Sequence, residues 1–389
     1  MKIIFIGQKG IPSLSGGVEK HVEELAVRLA SRGHDVMAYT RPHYTDPNLA
    51  DYKGVKLVSL PSLKTKNFDA ISHTFLACLD LFRRKVDIIH FHSIGPSSLI
   101  WLARIIKPNA KIISTFHCQD YYHQKWNFIG RLYLKFGEWM SCHAPNMTIT
   151  VSKALQKYSK ETYDVTTDYI PNGVPEADFK EAGEITKLWN LNKGSYILTV
   201  SRFVRHKGLH YLISAFRNTA TDKKLVITGE GAFTDDYVKE LKTLAEGDDR
   251  IIFTGPQHGD VLKELLSNAY LFVQPSESEG LSIALLEAMS YGKAVLVSDI
   301  AENKEAIANS GLTFRSKDTT DLTVKLNELL LDPARVAALG EQAKKRAISE
   351  YNWENIVSAT EETYAVVLVS ALTSKLKRQS IASRISMLL

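Results

Sequence analysis

The chain of 389 residues is poor in cysteine, and the few thiols form no recognisable site. Cys78, Cys118 and Cys142 lack the close spacing of metal ligands and do not make a disulfide framework. Such cysteine usage is typical of a reducing compartment, so we expect a cytoplasmic protein without a structural metal.

Long apolar runs are also missing. No segment offers about 18 consecutive apolar residues, so the sequence predicts no membrane-spanning helix. The first apolar run, Ile3–Ile6, is too short for the core of a secretion signal and predicts a buried strand instead.

Charge of one sign is not in large excess, because the net charge is only +5. Residues 1–178 carry 22 Lys and Arg against 16 Asp and Glu, and no basic–aromatic module accompanies them, so we expect no nucleic-acid partner. The mildly basic first half and the basic, apolar segment 374–389 are compatible with peripheral contact with the inner membrane. A solvated surface and a frayed terminus are the alternatives.

What the chain does contain is two rounds of short apolar runs alternating with helical patterns. The first round begins at Ile3–Ile6, and the second restarts at Tyr196–Val200 after a turn-rich segment that ends at Pro175. This alternation is typical of doubly wound parallel sheets, and the length exceeds one ordinary core. We therefore predict an α/β fold with domains at residues 1–175 and 176–352.

The most informative stretch lies at residues 276–289. An apolar run predicts a strand up to Pro275, and helical spacing resumes after Gly280, so Glu279 and Gly280 fall in a strand-to-helix turn, with Glu287 eight positions after Glu279. Ligands bind at such turns in open α/β sheets. Helix amides there suit a phosphate and carboxylates suit sugar hydroxyls, although two helix-capping or solvated glutamates would look the same.

Two other turns carry suitable groups. Arg202 and Lys207 place two cations in one strand–helix loop, which suits a diphosphate, with plain surface charge as the alternative. Gly16 and Gly17 precede a helical pattern and would let backbone amides approach a ligand, with an ordinary turn as the alternative.

Polar and aromatic residues follow the strand that begins at Lys111. His117 and Asp120 come just after its predicted end, where a site residue and a structural histidine are both reasonable interpretations. A stripe of apolar residues with helical spacing comes next, and we predict that it faces the core: Phe128, Leu132, Phe136 and Trp139.

These pieces together resemble the retaining GT-B glycosyltransferases of the family 4 type, over residues 1–370. The resemblance rests on the following motifs: Gly16-Gly17, Thr115-Phe-His117, Pro171-Asn-Gly-Val174, Ser201-Arg202 with Lys207-Gly208, Gly229-Glu-Gly231, Glu279-Gly280 with Glu287, and Trp353. The opening loop is similar to that of bacterial surface-polysaccharide enzymes, including rhamnosyltransferase-like members. His117, Asp120, Lys125 and Trp126 fit that subgroup, but Tyr121 stands where the subgroup has Trp, which could alter the acceptor or sugar pocket.

The resemblance implies two facing Rossmann-like domains, with residues 353–389 crossing back to the first. It assigns the diphosphate to Arg202 and Lys207, a sugar hydroxyl to Glu279, and the ribose to Glu287. The remaining positions that it assigns are the phosphate-covering amides of Gly16, Gly17, Gly280, Leu281 and Ser282, the sugar-ring neighbour His117, and the substrate-side residues Asp120 and Gly229.

The function implied is transfer of a sugar from a nucleotide-diphosphate sugar to a glycan or lipid-linked glycan acceptor, with retention and without a metal or other cofactor. Two alternatives remain open. One is a nucleotide-sugar-binding subunit without catalysis, and the other is a nucleotide-sugar epimerase on the same architecture.

Overall fold

A computed structural model describes residues 1–65, 68–122, 126–231 and 234–386, and for residues 370–386 it describes only the course of the helix. Lys125, one of the residues in the subgroup pattern, lies outside the described residues. The last three residues of the basic segment, 387–389, also lie outside them.

The first half forms eight strands and six helices among the described residues. In chain order they are β1 (Lys2–Ile6), α1 (Gly17–Ser31), β2 (Asp35–Thr40), β3 (Asp51–Tyr52), β4 (Val55–Ser59), α2 (Asp69–Asp80), β5 (Ile88–His92), α3 (Ile94–Ser97), α4 (Ile100–Ile106), β6 (Lys111–Phe116), α5 (Phe128–His143), β7 (Met147–Thr150), α6 (Lys153–Tyr163) and β8 (Asp168–Tyr169). Short 3-10 turns lie at Leu81–Arg83 and Asp120–Tyr122.

The second half repeats the alternation. Its elements are α7 (Glu184–Trp189), β9 (Tyr196–Val200), α8 (Leu209–Arg217), β10 (Lys224–Thr228), α9 (Asp235–Ala245), β11 (Ile251–Gly255), α10 (Gly259–Asn268), β12 (Leu271–Gln274), α11 (Ile283–Ser290), β13 (Ala294–Ser298), α12 (Ala301–Ile307), β14 (Leu312–Phe314), α13 (Thr319–Leu331), α14 (Pro333–Glu350) and α15 (Trp353–Ser386). A 3-10 turn at Arg205–Lys207 separates β9 from α8.

Each half builds one twisted sheet with helices on both faces. The first sheet has the strand order β3-β4-β2-β1-β5-β6-β7-β8, and β3 alone among these strands runs antiparallel to its neighbour. The second sheet has the order β11-β10-β9-β12-β13-β14 and is parallel at every pair. The predicted two-domain α/β fold is confirmed, and we call the two sheets with their helices the first and second domains.

The last long helix packs on the first domain. Trp353, Ile356 and Tyr364 of α15 join the apolar cluster that lies under α1, and Arg32 of the first domain forms ion pairs with Glu354 and Glu361. The chain therefore crosses between the domains twice, once after β8 and once at the start of α15.

The stripe on α5 was predicted to face the core, and this is wrong: Phe128, Leu132, Phe136 and Trp139 are all exposed, while Leu134 and Met140 point inwards. Spacing identifies the shared face of a helix but not which neighbour covers it. No helix among the described residues is both long and apolar enough to span a bilayer.

Candidate active site

Two loops of the second domain lie side by side because their strands are neighbours. β9 pairs directly with β12, so the loop after each strand leaves the same edge of the sheet. The amide of Glu277 donates to the carbonyl of His206 over 2.7 Å and joins the two loops. A Cβ at Gly208 would overlap the carbonyl of Pro275, and its φ is +69°, so this position needs glycine.

The joined loops bring a cation and a carboxylate into direct contact. Nζ of Lys207 lies 2.6 Å from Oε1 of Glu279, and both side chains are largely buried. The Ser276 hydroxyl donates to the same Oε1 over 2.7 Å. Glu279 is thereby held in one orientation at the edge of the sheet, where the sequence placed it.

Arg202 is exposed, in the loop that follows β9. Burial raises the pKa of Cys118 in the first domain well above its usual value, and Asp120 acts in the same direction. The charges of Arg202 and Lys207 oppose this shift. Arg202 and Lys207 of the second domain therefore act electrostatically on Cys118, whose thiol lies 3.2 Å from Oδ1 of Asp120 in the first domain.

Gly280 is a point of close approach between the domains. A Cβ there would overlap the carbonyl oxygen of His117, and Cys118 lies next to it. The neighbouring carbonyl of Leu281 accepts a hydrogen bond of 2.8 Å from the side chain of Asn172. Glycine is required at position 280 because two backbones meet there, rather than because of an unusual φ.

The start of α11 is held by its own residues. The hydroxyl of Ser282 accepts from the amide of Leu285 over 3.3 Å and donates to Gln274 over 2.6 Å. Glu287 lies one helical turn further along and is half-buried. Burial raises the pKa of Glu287, and Lys20 and Glu24 of α1 act on it in opposite directions, which places this carboxyl opposite α1.

The glycine pair of the first domain faces the start of α11. A Cβ at Gly17 would lie 3.7 Å from Cδ1 of Ile283, so the two helix starts predicted to cover phosphates face each other. Gly16 has a φ of +101° and a Cβ there would overlap the carboxylate of Glu19. Glu19 accepts from the amide of Lys9 over 3.2 Å, so one carboxylate already lies against this turn.

Gly229 occupies the turn after β10. Its φ is +137° and a Cβ would overlap the carbonyl of Ser201, so the loop after β9 can pass close to it only because it is glycine. Its amide donates to the carbonyl of Gly255 over 3.0 Å. Gly229 therefore provides room for the loop that carries Arg202. Its amide forms a hydrogen bond within the protein, to Gly255.

Three histidines cluster at the carboxyl edge of the first sheet. Nδ1 of His92 lies 3.0 Å from Nε2 of His117, and the ring of His21 meets that of His117 edge-on with centroids 4.9 Å apart. Burial lowers the pKa of His21 to about 4, and it lowers the pKa values of His92 and His117 well below the usual value. All three imidazoles are therefore neutral at pH 7.

Within the described part of the chain, these histidines are the one group whose ligand atoms lie close enough for a metal, all within 4.8 Å of one another. Neutral imidazoles are suitable ligands for zinc and similar cations. The 3.0 Å contact between His92 and His117 is also the length of an ordinary hydrogen bond, which accounts for this pair without a cation.

Two residues near the site were not assigned a role from the sequence. His21 occurs within an ordinary amphipathic pattern, and its burial depends on β5, β6 and Trp353, which are distant in the chain. Asn172 looked like part of a linker, but it contacts Leu281 across the domain boundary. The signal for Asn172 was its place in the motif Pro171-Asn-Gly-Val174, whereas His21 had none.

Tyr121, the residue that differs from the subgroup pattern, points its side chain into the first domain. Tyr121 is buried, and its hydroxyl lies 3.3 Å from that of Tyr158, which in turn donates to Glu138. This side chain forms part of a buried network in the first domain.

Comparisons with known proteins agree with this geometry. Residues 15–178 match the family model described as Glycosyltransferase Family 4, and residues 184–346 match the one described as Glycosyl transferases group 1. An uncharacterized glycosyltransferase from Methanocaldococcus jannaschii is 26% identical over 397 residues, which cover 95% of this chain and 99% of that protein.

Solved structures show the same fold over nearly the whole chain. Sucrose-phosphate synthase from Thermosynechococcus elongatus superposes with a TM-score of 0.80 at 22% identity, covering 95% of this chain and 99% of that chain. HepE from Anabaena, in complex with UDP and glucose, superposes with a TM-score of 0.78 at 18% identity, covering 94% and 100%. The chain is therefore a glycosyltransferase with the GT-B fold, made of a Glycosyltransferase Family 4 domain followed by a group 1 domain.

Proposed function

We propose that this chain transfers a sugar from a nucleotide-diphosphate sugar to an acceptor hydroxyl with retention of the anomeric configuration. The observation that carries the proposal is the buried pair of Lys207 and Glu279, 2.6 Å apart, beside the contact between Gly280 and His117. A cation and a hydroxyl-binding carboxylate at one edge of a parallel sheet match the two ends of such a donor.

The donor is held by the second domain in this proposal. Lys207 and Arg202 neutralise the diphosphate, with the amides of Gly280, Leu281 and Ser282 at the start of α11 as further donors. Glu279 accepts from a sugar hydroxyl and Glu287 from the ribose. HepE, which has the same fold, was solved with UDP and glucose, and this supports the donor class.

The cations also account for the chemistry. When the anomeric C–O bond breaks, the electron pair stays on the leaving diphosphate, and Arg202 and Lys207 stabilise that charge. A diphosphate oxygen then takes the proton of the acceptor hydroxyl as the new C–O bond forms on the face that the diphosphate leaves. The neutral His117 lies beside the sugar ring and leaves the cationic charge near the diphosphate to Arg202 and Lys207.

The acceptor is held mainly by the first domain. We assign residues 1–175, with 353–389, to the acceptor side and 176–352 to the donor side, and Asp120 and the turn at Gly16 and Gly17 face the cleft from the acceptor side. A lipid-linked or growing bacterial surface glycan is the acceptor class that the opening loop supports. A peripheral position at the membrane follows from that acceptor, and the basic segment 374–389 is one candidate for the contact.

A panel of UDP-, GDP- and dTDP-sugars tests the donor. A sugar nucleotide that binds only the folded chain raises the melting temperature by mass action, by about 2.7 kcal/mol of added stability at 100 times its dissociation constant. The matching donor is then incubated with candidate acceptors, with and without EDTA, and the anomeric configuration of the product is determined by NMR.

The outcomes separate the candidate functions. Transfer with retained configuration, unchanged by EDTA, is the expected result. An inverted linkage contradicts the mechanism. Binding without transfer or hydrolysis identifies a binding subunit, and conversion of the donor sugar without acceptor identifies an epimerase.

A further inference from the structure

Exposed apolar side chains are concentrated in one part of the chain. Of 21 large apolar side chains that are exposed among the described residues, 13 lie between residues 63 and 139. Several are almost fully open: Phe128 is 81% exposed, Phe82 78% and Ile105 69%. Single exposed apolar residues are normal, but a concentration of this size marks an interaction surface.

Most of these residues lie on one side of the first sheet. The inner faces of α2, α4 and α5 all pack on the same apolar cluster, which contains Cys78, Ala103 and Met140 beneath the sheet. α15 packs on the opposite side with α1. The outer faces of α2, α4 and α5 therefore form one surface, remote from the last helix.

Direct contacts join the parts of this surface. Nζ of Lys107 at the end of α4 donates to the carbonyl of Phe82 over 3.2 Å. Arg104 of α4 donates to the carbonyl of Ala144 at the end of α5 over 2.7 Å. We call this surface the lateral face, and its principal apolar residues are Phe82, Trp101, Ile105, Phe128, Phe136 and Trp139.

Cations outnumber acids around α4 on the lateral face, where Arg84 pairs with Asp80 of α2. Between residues 81 and 107 the sequence has Arg83, Arg84, Lys85, Arg104 and Lys107 against the single acid Asp87.

Exposed cations also outnumber exposed acids along α5. Arg131 and Lys135 are exposed there, whereas Glu138, the acid of this helix, is buried and accepts from Tyr158 and Tyr163. Aromatic side chains flanked by cations suit the interfacial region of an anionic bilayer.

We propose that the lateral face docks the protein on an anionic lipid bilayer. Trp101, Trp139 and Phe136 enter the headgroup region, and Arg83, Lys85 and Arg131 contact the lipid phosphates. This deepens the proposed function by naming a membrane contact on the first domain, in place of the basic segment 374–389.

The lateral face reaches the cleft. Nζ of Lys135 on α5 lies 5.6 Å from the ring centroid of Tyr121, the residue directly after Asp120, and the exposed side of α5 runs about 17 Å from Phe128 to Trp139. A bilayer at this face therefore lies next to the acceptor side of the cleft.

A second feature of the same surface fits an acyl chain. A groove of about 530 Å³ lies beside α2 and is lined almost wholly by apolar atoms, including Leu63, Phe68, Ile71, Phe75 and Leu99. A partly inserted lipid tail has the length and polarity to lie in it.

A second copy of the chain fits this face less well. Self-association through one patch would bring the cations of one copy against the same cations of its partner, and like charges across an interface cost several kcal/mol. The anionic lipid surface supplies the opposite charge.

Flotation of the full-length chain with vesicles of phosphatidylglycerol and phosphatidylethanolamine tests the proposal. We expect binding that weakens between 50 mM and 500 mM salt and that is at least about 10-fold weaker on phosphatidylcholine vesicles. The variant Trp101→Ala/Phe136→Ala/Trp139→Ala should bind at least about 10-fold more weakly, and Arg83→Gln/Lys85→Gln/Arg131→Gln should lose most of the salt dependence.

Matched variants control for general effects. Leu188→Ala/Val324→Ala/Leu331→Ala removes three exposed apolar side chains from the second domain and should leave vesicle binding unchanged. Circular dichroism and thermal melting confirm that each variant folds, which is expected because all the replaced side chains are exposed.

Several results would overturn the proposal. One is unchanged binding by the triple aromatic variant; another is loss of binding only when Lys375, Lys377, Arg378 and Arg384 are changed to Gln. A third is a dimer that the wild-type chain forms without lipid and that the triple aromatic variant fails to form. Because vesicle binding is measured without donor or acceptor, failure here leaves the proposed transfer reaction intact, and failure of donor binding leaves this proposal intact.

Discussion

Nζ of Lys207 and Oε1 of Glu279 lie 2.6 Å apart, although 72 positions separate them in the chain. The contact exists because β9 and β12 are adjacent strands, so their two following loops share one edge of the sheet. In the proposed function, a diphosphate arriving at this edge would meet a cation whose position is already fixed by a carboxylate. Preorganised charge of this kind lowers a reaction barrier because little rearrangement is needed as the charge develops.

Replacing Lys207 tests the role of this cation. We expect Lys207→Ala to lower kcat at least about 10²-fold, the usual loss when one preorganised charge stabiliser is removed. Arg205→Ala is the matched control, because Arg205 belongs to the same 3-10 turn but pairs with Glu240 and lies over the ring of Tyr237. Turnover near that of the wild type in Lys207→Ala would remove this residue from the site.

Replacing Glu279 separates donor binding from folding. Glu279→Gln keeps a side chain of the same size but loses the charged acceptor, so kcat/KM for the donor should fall about 10- to 100-fold. Glu277→Gln in the same loop is the control, since Glu277 is bonded to Tyr211 and Lys317. Equal kinetics for the two variants would contradict the assignment of a sugar hydroxyl to Glu279.

Gly280→Ala tests whether the domains must close at this point. The added methyl group would overlap the carbonyl of His117, so the domains cannot reach the closed arrangement. We expect kcat/KM to fall at least about 10-fold, and small-angle scattering should show a larger radius of gyration with donor present. Gly183→Ala, where a Cβ meets nothing closer than 3.7 Å, should behave like the wild type.

The neutral histidine cluster predicts a pH dependence of stability. His21 has a pKa of about 4 in the folded chain and 6.5 as its ordinary value, so the unfolded chain binds more protons between these two pH values. The stability that depends on a neutral His21 is fully present above about pH 6.5 and is lost as the pH falls towards 4.

Between pH 7 and 5 this loss amounts to about 2 kcal/mol of the free energy of unfolding. Urea unfolding at the two pH values should show a smaller decrease for His21→Gln than for the wild type. His258→Gln, which changes an exposed histidine of the second domain, should retain the wild-type decrease. An identical decrease in all three proteins would mean that His21 titrates normally.

The sequence located both loops of the second domain but not their contact. An apolar run followed by glycine and charged residues identifies a strand-to-helix turn from local information alone, which is how Arg202, Lys207 and Glu279 were found. Which turns are neighbours depends on the order of the strands in the sheet. No local pattern between residues 208 and 276 indicates that β12 lies beside β9. The contact between Lys207 and Glu279 could therefore not be predicted from the sequence.

The error on α5 and the omission of His21 have the same physical origin. Helical spacing places Phe128, Leu132, Phe136 and Trp139 on one face, but only the surrounding elements decide whether that face is covered. His21 looked ordinary within α1, and it is buried by Trp353, more than 300 positions away. Local pattern predicts elements and faces, while burial depends on the whole chain.

The turn between the domains lies directly against the start of the last helix. A Cβ at Gly173 would overlap the ring of Trp353, and the amide of Val174 donates to the carbonyl of Tyr351 over 2.8 Å. The two segments that connect the domains thus pass through one corner of the molecule. A rotation about the corner at Gly173 would therefore change the width of the cleft most on the side farthest from that residue.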